Sequence, residues 1–271
     1  MQGEQARRLR ICVDDFGLGA GVDQAVLRLA RRGRISATSC MVGAPQWRAD
    51  APALRALDPA VLDVGLHLDL TAFPLDARLR LPLPHWLARS HLRLVPRSAL
   101  HSEIEAQLDA FEQAMGRPPA HVDGHQHVHQ LPVVRDELLA VLQARYGGRR
   151  PWLRRTRRPP AERGNSKAWL IEALGCTGLA GLAVRNGYRQ NKHLLGVYDF
   201  KGGEERYLAL LEAWLRTAQD GDLLMCHPAT ELLAGDAIAA ARVWEYKVLA
   251  GPAFAALLAR EAIQLEETMR P

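Results

Sequence analysis

The stretch Leu9-Arg-Ile-Cys-Val-Asp-Asp-Phe-Gly17 decides how this chain is read. Residues 9–13 have the length and apolar character of a buried strand, and two adjacent carboxylates, Asp14 and Asp15, stand where it ends. Val22, Val26, Leu29 and Ala30 then recur at helical spacing, and Gly33 closes that helix. The same unit returns along the chain. Strand-like runs at 37–42, 61–66, 118–123, 152–156, 193–197 and 223–226 alternate with helical patterns such as 131–145 and 204–218. Alternation of this kind gives parallel βαβ units. The expected fold class is therefore α/β, an irregular (β/α) barrel, with all 271 residues in a single domain. Residues 72–100, with Pro74, Pro82, Pro84 and Pro96, read as a long insertion of the kind that forms a lid.

Composition removes several classes of function. With 48% hydrophobic and 24% charged residues, the chain is neither disordered nor fibrous. No run reaches the 18 apolar residues of a transmembrane span. The first ten residues are polar, without the apolar core of a secretory leader, so a cytoplasmic protein is expected. The four cysteines form no CxxC pair, which excludes a zinc ribbon or a redox pair of that type. Gly17-Leu-Gly19-Ala-Gly21 lacks the dinucleotide-loop spacing. The net charge of +5 comes largely from Arg, which is dense over residues 149–163. Only Trp152 interleaves with those arginines, so no nucleic-acid partner is expected. A solvated loop is the plain reading of the segment, and an anionic or lipid-linked glycan is the functional one. A homodimer is compatible with the sequence.

The chemistry lies at the strand ends. Asp14 and Asp15 come after the first strand, His67 and Asp69 after the third, and His121-Val-Asp-Gly-His125-Gln-His127-Val-His129 spans the end of the fourth. Arg154 and Arg155 sit in the fifth, and His227 comes after the last. In α/β folds the C-terminal strand ends gather into one rim, so these distant residues meet there. Adjacent carboxylates on an extended segment point to opposite sides, so one can bind a metal while the other faces a water. His125, His127 and His129 share one face if the segment is a strand; if it is helical, His125 and His129 are neighbours. A metal or a hydrogen-bond network is the usual way to keep such imidazoles neutral. Two imidazoles and a carboxylate with an open position suit hydrolytic zinc, Fe(II) or a harder divalent ion. A further free carboxylate favours hydrolysis, since it can take a proton from water. His227 could then protonate a leaving group. Either Arg154 or Arg155, but by strand parity not both, could orient Asp14.

Cys12-Val-Asp-Asp-Phe-Gly-Leu18, Gly65-Leu-His-Leu-Asp-Leu-Thr71, the His121–His129 run, Met225-Cys-His-Pro228 and Arg242-Val-Trp-Glu-Tyr-Lys247 together resemble the YdjC-like carbohydrate deacetylases. That group includes chitooligosaccharide deacetylases and hopanoid-biosynthesis-associated deacetylases. The resemblance spans about residues 9–260. It implies an irregular barrel related to polysaccharide deacetylases, one divalent metal ion (Zn or Mg), and removal of an N-acetyl group from an amino sugar. By position it implies Asp15, His67 and His125 as metal ligands, Asp14 as general base and His227 as general acid. His127, His129, Asp69, Arg154 and Arg155 are then expected around the ligands or against substrate. Two departures bear on specificity. Cys12-Val13 stands where the family usually has Asn-Ala, and Gly43 where an Asn often ends the second strand. The alternatives are a metal-dependent phosphoesterase and a non-catalytic carbohydrate-binding barrel.

Overall fold

The computed structural model describes residues 6–266. Strand β1 (Arg7–Phe16) is buried from Leu9 onward and leads into α1 (Ala20–Arg31). β2 (Ala37–Cys40) precedes α2 (Trp47–Arg55), and β3 (Asp63–Leu68) is followed by α3 (Leu83–His91) and the long α4 (Arg97–Met115). β4 (His121–Gly124) is followed by α5 (Val134–Tyr146), and the two-residue β5 (Trp152–Leu153) by α6 (Ser166–Ala173) and α7 (Cys176–Arg185). β6 (Leu194–Leu195), α8 (Gly203–Thr217), β7 (Asp222–Cys226), α9 (Ala239–Ala250), α10 (Pro252–Arg260) and β8 (Ile263–Leu265) complete the chain.

Every strand pair is parallel, in the order β5-β4-β3-β2-β1-β7-β6, with β8 added against β1. β1 is thus central, as expected of a strand whose residues 9–16 are all buried. The ends of the arc, β5 and β6, are not paired with each other. One isolated bridge, Leu153 to Gln190, lies between them. The result is the irregular (β/α) barrel that the alternation implied, with the sheet left open between β5 and β6. Among the described residues no single helix is long and apolar enough to cross a membrane.

Residues 72–100 differ from a structureless insertion. They hold a 3-10 turn (Ala77–Leu79), all of α3 and the first turn of α4. Trp86 is buried and its indole N–H donates to the Leu70 carbonyl at 2.8 Å, while Leu79, Val95 and Leu100 join the core. Three of the four prolines stand before or at helix starts: Pro82 precedes α3, Pro84 is in its first turn, and Pro96 precedes α4. This is where Pro costs no hydrogen bond. Gly43 also gains a reason. A Cβ at this position would collide with the Phe73 carbonyl, so the loop after β3 occupies the space a side chain would need.

Candidate active site

Two backbone irregularities build the site. β1 pairs regularly with β2 up to Val13, then its register shifts between Val13 and Phe16. Asp15 sits in the left-handed region at φ 70°. The bulge breaks the alternation that would send Asp14 and Asp15 to opposite faces, and both carboxylates are buried in the barrel interior. The His cluster is neither a strand nor a regular helix. Residues His125–Gln130 form a 3-10 turn, with Gln126 and His127 left-handed at φ 52° and 60°. The three imidazoles are therefore separated in function.

His125, His67 and Asp15 come together. His125 Nδ1 lies 3.1 Å and His67 Nε2 3.4 Å from Asp15 Oδ1. One ligand atom from each of the three falls within 4.8 Å of the others. The other ring nitrogen of His67 donates to Asp123 Oδ1 at 2.6 Å, which turns Nε2 toward Asp15. A carboxylate behind a histidine in this way is the usual backing of a metal ligand. Arg242 Nη2 donates to Asp15 Oδ2 at 2.7 Å and leaves Oδ1 facing the two imidazoles. Burial raises the Asp15 carboxyl, but Arg242 and then His125 bring it well below the ordinary range. Burial opposes charge on His67, yet Asp123 raises its pKa to about 10. The trio thus sits where positive charge is drawn in, which fits a cation. His125, the least buried of the three, opens toward solvent.

Asp14 lies beside this trio. Arg154 Nη1 and Nη2 each donate to one of its oxygens at 2.6 Å, and Ser39 Oγ donates at 3.2 Å. Arg154 Nη2 also lies 2.5 Å from Asp123 Oδ2. Burial pushes the Asp14 carboxyl up, and the Arg154 guanidinium more than offsets it, so Asp14 is held below the usual range. His227 Nε2 is 3.9 Å from Asp14 Oδ2. Burial brings the His227 pKa down to about 4, against the pull of Asp15 and Asp14. Its backbone N–H donates to Glu245 Oε2 at 2.6 Å, and Tyr198 Oη donates to Glu245 Oε1 at 2.6 Å. The Phe200 ring meets His227 edge-on at 5.4 Å from a left-handed backbone, φ 58°.

The remaining expected residues divide. Arg154 is the arginine that reaches Asp14. Arg155 is not: no bond from its side chain to Asp14 is found, and its backbone N–H donates to Asn191 Oδ1 at 2.7 Å. Asp69 does not reach the trio either. Its carboxylate accepts the N–H groups of Thr71, Ala72 and Phe73 and turns the chain after β3. His127 is held neutral by burial and then by Arg154. His129 Nε2–H donates to the Arg154 carbonyl at 3.0 Å, and burial lowers its pKa to about 4. His121 is buried, stacked on Trp152 with ring centroids 4.2 Å apart. Sequence reasoning gave Asp123, Arg242 and Glu245 no part, although each lies within a family-like motif. Arg242 and Glu245 belong to α9, where their only signal is a spacing of three within a largely apolar helix.

A parallel open barrel with two imidazoles and a carboxylate converging at its C-terminal strand ends, and a further carboxylate and imidazole beside them, defines a class of barrel with a candidate metal centre at its rim. More particularly, the chain belongs to the YdjC-like family, whose model matches residues 8–260. A carbohydrate deacetylase of Mus musculus is 30% identical over 297 aligned positions, covering 95% of this chain and 93% of the relative. A chitooligosaccharide deacetylase of Yersinia enterocolitica is 36% identical over 133 positions, covering 46% of this chain and 52% of the relative. A solved structure from Enterococcus faecalis V583, described as a putative cellobiose-phosphate cleavage protein, shares the fold with a TM-score of 0.69 at 21% identity, covering 97% of both chains.

Proposed function

We propose that this protein is a carbohydrate deacetylase that hydrolyses the N-acetyl group of an amino sugar. The observation that carries the reading is the side-by-side placement of an Asp15–His67–His125 trio and an Asp14–His227 pair, 3.9 Å apart within the pair. The family relationship, and the names of relatives, support the same activity.

Asp15, His67 and His125 would hold one divalent ion, which when bound lowers the pKa of a water and polarises the acyl oxygen. Asp14 accepts the proton of the attacking water. Its bidentate pairing with Arg154 fixes the direction of both oxygens, so no rearrangement is needed as the proton arrives. His227 is neutral at pH 7 in the free protein and lies next to Asp14, so the proton it delivers to the leaving nitrogen is the one Asp14 has taken. An amine leaves poorly without that proton. Glu245 fixes the His227 backbone, and Phe200 excludes water from one side of the ring. We read residues 72–100 as a packed wall of the substrate cleft, and a lipid-linked or anionic glycan as a substrate class compatible with the basic segment beyond β5.

The experiment is acetate release from N-acetylated chitooligosaccharides, with and without a chelator. Chelator-sensitive release is expected. Absence of acetate from a panel of N-acetylated sugars, with metal supplied, would overturn the reading. Asp14→Asn is expected to keep metal affinity and lose about 10²- to 10⁴-fold in kcat.

A further inference from the structure

One surface of the molecule is built unlike the rest. Helices α6 and α7 follow one another across a break of two residues and a bend of 49°. Their sequence, 166–185, contains only Lys167, Glu172 and Arg185 as charged residues. One face packs inward through Ala168, Cys176, Leu179, Ala180 and Ala183. The other leaves Trp169 and Leu170 54% and 53% exposed, and Val184 75% exposed. His91 at the end of α3 and Trp169 line the same surface cleft, and beyond His91 Leu92 and Leu94 are 68% and 63% exposed. These five are among the most exposed large apolar side chains of the described residues.

The charge around this surface is one-sided. Over 157–185 the basic residues are Arg157, Arg158, Arg163, Lys167 and Arg185, against Glu162 and Glu172. Glu172 is taken by Arg158 at 2.9 Å. Arg157, Arg163 and Arg185 have no carboxylate partner among the described residues. An apolar strip with an indole, rimmed by unpaired guanidinium groups, is the composition that lies in the headgroup region of an anionic bilayer. A second copy of the chain fits poorly. A two-fold contact would bring each basic rim against its own copy. The position also matters. From α6, Lys167 Nζ donates to the Tyr198 carbonyl at 2.7 Å and lies 4.3 Å from the Phe200 ring, which packs on His227. The strip therefore borders the mouth of the site.

We propose that the exposed face of α6 and α7, with Leu92 and Leu94, docks on an anionic lipid surface and holds the catalytic mouth beside it. The surface is peripheral, since neither helix is long enough to span. The docking is independent of the deacetylase reading, because vesicle binding and acetate release are separate measurements.

The test is co-sedimentation of the full chain with vesicles of phosphatidylcholine and with vesicles of equal parts phosphatidylcholine and phosphatidylglycerol. Binding is expected to the mixed vesicles and to weaken as salt is raised. The double variant W169E/L170E should lose at least about tenfold in vesicle affinity, as each apolar contact is replaced by a like-charged repulsion. It should retain its melting temperature and its acetate release from soluble oligosaccharide, since both side chains lie outside the core. R163E/R185E tests the rim separately and should weaken binding to mixed vesicles by a similar factor. Equal binding of W169E/L170E and the parent chain would overturn the proposal. So would equal binding to both vesicle types, or a dimer in sedimentation that W169E/L170E dissolves.

Discussion

Arg154 carries more of the site than any other side chain outside the Asp15–His67–His125 trio. It is fully buried and bonds Asp14 and Asp123 at once, so its loss strips Asp14 of its bidentate partner and leaves Asp123 with His67 alone. Breaking such a pairing costs about 3–5 kcal/mol. Arg154→Met is accordingly expected to lower the unfolding free energy by about that amount in a denaturant titration. Arg154→Lys should fold better yet remain poorly active, because one ammonium cannot make the bidentate contact. Asp123→Asn addresses the neighbouring histidine. It should weaken divalent-metal affinity by about 10- to 100-fold in calorimetry, because His67 loses the partner that orients it. At this scale the sequence was informative where a polar residue interrupts an apolar strand, as at Asp14, Asp15, His67, His125 and His227. It was silent on Arg242 and Glu245, since charges on a helix ordinarily face water and only the tertiary contact with Asp15 and His227 shows otherwise.

Among elements, the strands and the turn after β4 show why strand positions were legible and local geometry was not. The apolar runs marked most strands to within a few residues, because buried parallel strands need them. The exceptions are β5 and β6, two residues each where the runs 152–156 and 193–197 read as five, and β8, which the sequence reading did not mark. Nothing in His-Gln-His-Val-His announces two successive left-handed residues, which are set by the need to reach both Asp15 and Arg154 from one short segment. The bulge in β1 is equally hidden, and strand parity alone assigned Asp14 and Asp15 to opposite faces. Gly65 gives an element-scale prediction. A Cβ there would enter the His121 ring on β4, so Gly65→Ala should force β3 and β4 apart. A lowered melting temperature, by an amount equivalent to about 1–3 kcal/mol, is expected in a thermal scan. Gly33→Ala is the control for space, since nothing lies near its Cβ, although its φ of 61° still carries strain.

At the scale of the molecule, stability should depend on pH through a group with no direct contact to the Asp15–His67–His125 trio. Asp23 on α1 accepts the Gly17 N–H at 2.6 Å, and burial, with Asp50 next to it, raises its pKa to about 8. In the unfolded chain it titrates near 3.8, so between the two values the folded state holds the extra proton. Stability is then expected to fall as pH rises from about 4 to about 8, and Asp23→Asn should flatten that part of a melting-temperature profile. The open arc has its own consequence. β5, at one end of the sheet, has a ladder of two residues, yet the next side chain along, Arg154, crosses the interior to β1 at the centre. The arginine is thus a strut as well as a charge, tying a weakly laddered margin to the best-protected strand. Amide hydrogen exchange at 152–156 should therefore be slow in the parent chain and quicken in Arg154→Met well before exchange on β1 does. Catalytic order and the mechanical closure of the barrel would then be lost together, through one bond system.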